Sequence, residues 1–174
     1  MSQARTTTID LARLSLAFGE GKRFELPVEL ERFELGGQVY TANPAAPVVR
    51  LDVSRPSGGY AFRLAFPVHL EGPCVRCLEP GALDLEVEAR EIDQAATDDE
   101  ELRSPYVVDD ELEIGRWAHD AAILALPSRF LCRPDCAGLC PVCGESLNDT
   151  DPAEHEHEQA TDPRWAALKN LKLD

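Results

Sequence analysis

The chain has 174 residues, 44% of them hydrophobic and 28% charged, enough for one domain core with a small appendage and too few for two full domains. Its 17 basic side chains stand against 32 acidic ones, a net charge of -15, and that sign disfavours nonspecific binding to a nucleic-acid backbone. The first sixteen residues hold no apolar leader core, and the longest strongly apolar run, Ala121 to Leu126, is too short to span a bilayer, so the expectation is a cytoplasmic protein without membrane attachment.

In chain order, the first ninety residues read as strands. Thr8 to Leu16 and Phe24 to Leu30 are β-rich runs separated by the turn-like Gly19-Glu20-Gly21. Val48, Val49, Leu51 and Val53 lead through Pro56-Ser57-Gly58-Gly59 into Phe62, Leu64, Phe66, Val68 and Leu70 at period two, which predicts an antiparallel hairpin. Pro67 implies an edge or a bulge, because proline donates no ladder hydrogen bond. Leu83, Leu85, Val87 and Ala89 then alternate with Asp84, Glu86, Glu88 and Arg90, as in a strand with one solvated face.

Residues 91–113 hold ten acidic groups against Arg103 alone, and residues 145–162 hold seven acids with no Lys or Arg. Both are expected to be solvated loops, with a docking surface for something basic as the sharper alternative. Between them Ile114, Trp117, Ala118, Ala121, Leu124 and Ala125 form the stripe of an amphipathic helix over 114–126, which Pro127 ends. Asp162-Pro163 is a start signal for a short terminal helix. The expected fold is α+β. Residues 1–127 would form an N-terminal antiparallel β-sheet with one helix and the acidic loop 91–113, and residues 128–174 a Cys-rich, metal-stapled segment with an acidic loop and a C-terminal helix.

Six cysteines dominate the chemistry. In a reducing compartment, clustered thiols point to metal ligands rather than disulfides. Cys132, Cys136, Cys140 and Cys143 fall within twelve residues, and Cys140-Pro141-Val142-Cys143-Gly144 has the form of a zinc knuckle, two thiolates on a tight turn followed by a glycine free to adopt positive φ. Cys74-Val75-Arg76-Cys77 is a second pair with the same spacing, and His155-Glu156-His157 supplies two imidazoles. Six Cys and two His fill two tetrahedral sites: Cys140, Cys143, His155 and His157 on one ion, and Cys74, Cys77, Cys132 and Cys136 on the other. The rival partition is a single four-cysteine site with the histidines loose in their acidic loop. Either one or two structural zinc ions are thus expected, with no open position for catalysis. His119-Asp120 and His69 are expected at the surface, and no phosphate-loop, dinucleotide or hydrolase motif occurs, so no enzyme is expected.

Cys74-Val75-Arg76-Cys77-Leu78-Glu79-Pro80, Leu124-Ala125-Leu126-Pro127, Leu131-Cys132, Asp135-Cys136-Ala137-Gly138-Leu139-Cys140-Pro141-Val142-Cys143-Gly144, Leu147-Asn148 and Asp162-Pro163-Arg164-Trp165-Ala166-Ala167-Leu168 together resemble the YceD family in order and spacing over the last hundred residues or so. The first seventy fit only in being strand-rich. The resemblance implies a bacterial, non-enzymatic factor that supports accumulation of large-subunit ribosomal RNA. Where many relatives carry a C-x-C pair, this chain has His155-Glu156-His157, a swap that a retained zinc site permits.

The leading expectation is therefore a ribosome-biogenesis factor associated with pre-ribosomal particles. The alternative is a zinc-binding regulatory adaptor that recruits a basic protein outside the ribosome. Charge favours a basic partner, such as a large-subunit ribosomal protein awaiting assembly, over naked RNA. Direct RNA contact is left open by the short basic stretch Arg164 to Lys172.

Overall fold

The computed structural model describes residues 7–94, 99–151, 155 and 157. The described part is mostly antiparallel β-sheet with one helix. Its spine is a long hairpin. Strand β6 (Tyr60–Pro73) pairs along its whole length with β7 (Pro80–Asp93), from Tyr60 opposite Asp93 to Pro73 opposite Pro80. The other edge of β6 carries two neighbours in succession. β5 (Val48–Ser54) pairs with residues 61–65, and β4 (Gln38–Ala42) pairs with Leu70 and Glu71. Pro67 falls between these two ladders, where a missing N–H leaves no partner without a bond. β2 (Gly21–Pro27) extends the sheet beyond β5, and β3 (Phe33–Leu35) extends it beyond β4.

Period-two alternation sends Val49, Leu51, Val53, Phe62, Leu64, Phe66, Val68, Leu70 and Val87 to the inner face, all buried. Helix α1 (Ile114–Ala125) covers that face with Ile114, Trp117, Ala118, Ala121 and Ala122. Trp117 meets Phe62 edge-on at 6.3 Å between ring centroids. The helix lacks a side-chain N-cap, and the Thr7 carbonyl accepts from the N–H groups of Ile114 and Gly115 instead. Leu126 leaves the helix in an extended conformation, as a residue before proline must.

Several expectations need correction. The run from Thr8 to Leu16 is a strand only at β1 (Thr8–Asp10); the Asp10 carboxylate accepts from the Arg13 N–H and turns the chain into a single 3-10 turn at Ala12–Leu14. The strand expected over Phe24 to Leu30 is shifted to Gly21–Pro27; Val28 and Leu30 stay buried but bond to the Pro47 and Ala45 carbonyls of a loop. The segment 91–113 is not a loop throughout. β7 runs on to Asp93, and β8 (Val107–Val108) and β9 (Glu111–Glu113) join β1 in a separate three-stranded sheet. Asp109 and Asp110, at φ 50° and 63°, form the two-residue turn between β8 and β9, and Leu112 is fully buried. His119 is not a surface residue either: its ring stacks on Phe33 at 4.8 Å and its Nε2 is buried. The expected terminal helix from Asp162 lies outside the described residues.

Candidate metal centres

The two Cys-x-x-Cys segments adopt the same local structure. In the first, the Arg76 N–H donates to Cys74 Sγ at 3.4 Å, the Leu78 N–H to the Cys74 carbonyl at 2.9 Å, and the Cys74 N–H to the Glu79 carbonyl at 2.8 Å. In the second, the Val142 N–H donates to Cys140 Sγ at 3.4 Å, the Gly144 N–H to the Cys140 carbonyl at 2.9 Å, and the Cys140 N–H to the Glu145 carbonyl at 2.8 Å. The residue after the second cysteine is left-handed in both, Gly144 at φ 79° and Leu78 at φ 64°. Each turn thus points two sulfurs to one side, with an N–H donor on the first.

Each knuckle meets two further donors. Cys74, Cys77, Cys132 and Cys136 form one group and Cys140, Cys143, His155 and His157 the other, with the donor atoms of each group within 4.8 Å of one another. In the first, Cys74 Sγ is 3.7 Å from Cys136 Sγ and Cys77 Sγ is 3.5 Å from Cys132 Sγ. In the second, Cys143 Sγ is 3.4 Å from His155 Nε2, which is 3.0 Å from His157 Nε2. Tetrahedral bonds of zinc-like length would separate two sulfurs by about 3.8 Å, sulfur and nitrogen by about 3.6 Å, and two nitrogens by about 3.3 Å. The gaps between donors therefore fit one ion per group, and the sulfurs are far too distant for disulfides. All eight singled-out residues fall into these two groups, divided as in the two-ion partition.

The centres differ in setting. In the first, Cys74 and Cys136 are completely buried and Cys77 nearly so, with Leu131 and Leu139 packed around them. In the second, Cys140 is buried, but Cys143 and His157 are exposed. Burial acts to raise the Cys74 thiol, but the N–H groups of Arg76, Cys132 and Cys77 outweigh it and bring Cys74 down to about 6. Burial, with hydrogen bonds to the Cys77, Cys136 and Cys74 sulfurs, pushes Cys132 up to about 12. At the second centre the Cys143 N–H, the His155 side chain and the Val142 N–H hold Cys140 at about 6. Each group thus favours one thiolate and resists the next, a conflict that a divalent cation removes.

Residues outside the cysteine pattern position the first centre. Gly72 and Gly81 lie opposite each other at the hairpin end, and two aromatic rings use the space. Tyr40 lies against Gly72, Phe130 lies against Gly81, and the rings contact each other at 4.8 Å between centroids. The Phe130 carbonyl accepts from the Val75 N–H at 2.9 Å, fixing the approach of Cys132 to the knuckle. Arg76 joins the two centres: its guanidinium donates to the Ala137 carbonyl at 3.0 Å, and its own carbonyl accepts from the Leu139 N–H at 3.2 Å. The Asn148 side chain caps the Ala137 N–H at 2.8 Å. The paired glycines are the sequence signal for the aromatic contacts, since a residue without a side chain at each position leaves room for a ring. His69 sits on the outer face, bonded to Asp84 at 2.7 Å, and belongs to neither donor group.

The family model described as large ribosomal RNA subunit accumulation protein YceD matches residues 63–172, a span that contains every donor of both centres. The chain belongs to the YceD family. Uncharacterized proteins of Mycobacterium bovis and Mycobacterium tuberculosis are each 36% identical to it over 175 residues, covering 97% of this chain and 82% of the relative. An uncharacterized protein of Mycobacterium leprae is 33% identical over 103 residues, 56% of this chain and 46% of the relative. No solved structure matches it. Among the described residues no helix is long and apolar enough to cross a membrane.

Proposed function

We propose that this YceD-family chain is a non-enzymatic ribosome-biogenesis factor that supports accumulation of large-subunit ribosomal RNA and carries two structural zinc ions. The observation that carries the reading is that the family match spans residues 63–172 and so includes both donor groups, which ties the family's name to this part of the fold. Four soft thiolates in the first group, and two thiolates with two borderline imidazoles in the second, select zinc over harder cations. Four protein donors close the coordination shell and leave no place for a reacting water, which supports a structural rather than a catalytic ion. The acidic surface supports a basic protein partner, such as a ribosomal protein within a pre-ribosomal particle in the cytoplasm.

The test is a strain lacking the gene, complemented with the native chain or with Cys74→Ser/Cys136→Ser. The expected result is a lowered ratio of mature large-subunit to small-subunit ribosomal RNA without the gene, restored by the native chain and not by the variant. An unchanged ratio in the deletion strain at all growth temperatures overturns the ribosomal reading.

A further inference from the structure

Among the described residues, one long strand edge has no strand beside it. β7 pairs with β6 along one side, and on its other side no described residue makes a backbone hydrogen bond to it. Helix α1 packs against β7, and both ends of the edge are closed. At one, Gly81 lies against the Cys132 backbone; at the other, the Asp93 carboxylate accepts from the Ser104 N–H and Gln94 bonds to the Leu102 carbonyl. Residues 82–90 lie between, and at about 3.4 Å per residue they form an edge roughly 30 Å long. Natural sheets seldom leave such an edge unprotected, since its free N–H and C=O groups are a template for another strand.

The two faces of this edge define what would fit it. Inward, Leu83, Leu85 and Ala89 pack on the core yet stay half-exposed, unlike the buried Val87 between them. Outward, Asp84, Glu86 and Glu88 occupy alternate exposed positions. Asp84 is shared with His69, Glu88 with Arg63 and Arg90, and Glu86 has no ion pair among the described residues. From Pro80 to Glu113 the sequence holds thirteen acidic residues against Arg90 and Arg103.

We propose that the open edge of β7 binds an extended segment of a partner protein by strand addition, a segment in which Lys or Arg alternates with apolar residues. Main-chain hydrogen bonds along residues 82–90 would supply the register. The apolar residues would cover Leu83 and Leu85, and the basic ones would stand beside Asp84, Glu86 and Glu88, where opposite charges on adjacent strands attract. This inference rests on the basic-partner reading above and gives it a place and a mode. The first metal centre would belong to the same device, since it fixes the hairpin tip from which β7 begins.

The experiment titrates the purified, zinc-loaded full chain with a nine-residue peptide alternating Lys or Arg with Val or Leu, followed by anisotropy and by amide exchange in NMR. Scrambled and alternately N-methylated peptides of the same composition serve as controls. Binding to the alternating peptide is expected, at least about tenfold weaker for both controls, with new protection confined to those amides of 82–90 that face away from β6. D84K/E86K, whose side chains are exposed, is expected to keep its zinc and to bind at least about tenfold more weakly. Equal affinity for the controls, an indifferent D84K/E86K variant, or protection of the outward amides before peptide is added would each overturn the proposal. Because the readout is peptide binding and not ribosomal RNA, its failure is distinct from failure of the biogenesis reading.

Discussion

Replacing Gly72 with alanine should damage the first metal centre through two aromatic rings, without touching a cysteine. A methyl group at residue 72 would overlap Cδ1 of Tyr40 and lie 2.8 Å from its Cε1 and 3.0 Å from its Cγ. Tyr40 is 3% exposed and its ring rests on Phe130, which is itself 3.2 Å from where a Cβ on Gly81 would stand. A cavity of about 230 Å³ borders the ring, lined by Tyr40, Phe130, Leu35 and Val75 among others, and can take only part of the displacement. Overpacking of this kind costs about 1–3 kcal/mol, and that partial escape route puts Gly72→Ala near the middle. Lower unfolded-chain entropy returns roughly 0.5 kcal/mol, leaving a net loss of about 1.5 kcal/mol. For a chain of this size that lowers Tm by about 3–6 °C. Calorimetry of the zinc-loaded protein measures it, and a chelator titration should show zinc leaving the first centre more readily. Tyr40→Leu in the same chain should recover part of the loss, a coupling that a double-mutant cycle reads directly. A Gly72→Ala protein with unchanged Tm, or a double variant with strictly additive losses, would refute the aromatic clamp.

Metal analysis of the native chain should give about two zinc ions per chain, and His155→Ala/His157→Ala should leave one, because only the second donor group uses imidazoles. A competing chelator should remove zinc in two phases, the first from the centre with exposed Cys143 and His157; Cys143→Ser should abolish that fast phase and leave the slow one. Gly144→Ala meets no neighbouring atom but is held at φ 79°, so a left-handed penalty of about 1–2 kcal/mol, partly offset by chain entropy, should weaken zinc at the second centre several-fold and leave the first unchanged. Asp93→Ala would strip the Ser104 N–H of its buried partner, a loss of about 1–3 kcal/mol visible in denaturant unfolding.

The long hairpin and the helix were legible because their signals are periodic: Phe62 to Leu70 and Leu83 to Ala89 alternate without interruption, and Ile114 to Ala125 keeps one apolar stripe. Short elements carried no such signal. The hairpin of β3 and β4 has three and five residues around Gly36-Gly37, whose φ values of 58° and 78° form the turn, and so few residues cannot establish a period. β8 and β9 were hidden by their own acids, since Leu112 is their sole fully buried side chain. At the metal centres residue type and spacing named the donors and offered their division as one of two partitions, but could not decide it, because Cys77 and Cys132 lie 55 residues apart and meet only through the fold. The likeness of the knuckles was masked at one position, where exposed Leu78 takes the conformation that Gly144 takes without strain.

The two knuckles, alike in backbone, differ in what completes them. The first receives Cys132 and Cys136 from beyond α1, so an ion there would fasten the hairpin tip to the chain that follows the helix. The second is completed by His155 and His157, 12 and 14 residues after Cys143, so an ion there would order only its own neighbourhood. Charge separates them further. Four thiolates around a divalent ion leave a centre of about -2, whereas two thiolates and two imidazoles leave about zero. The more negative centre is thus the buried one, at the end of the hairpin whose second strand carries Asp84, Glu86 and Glu88 outward. Loading it would stiffen that strand and strengthen the negative field along it at the same time. A partner chosen by positive charge would then distinguish the metal-loaded chain from the empty one, so the ion would act on recognition through the fold without meeting the partner itself.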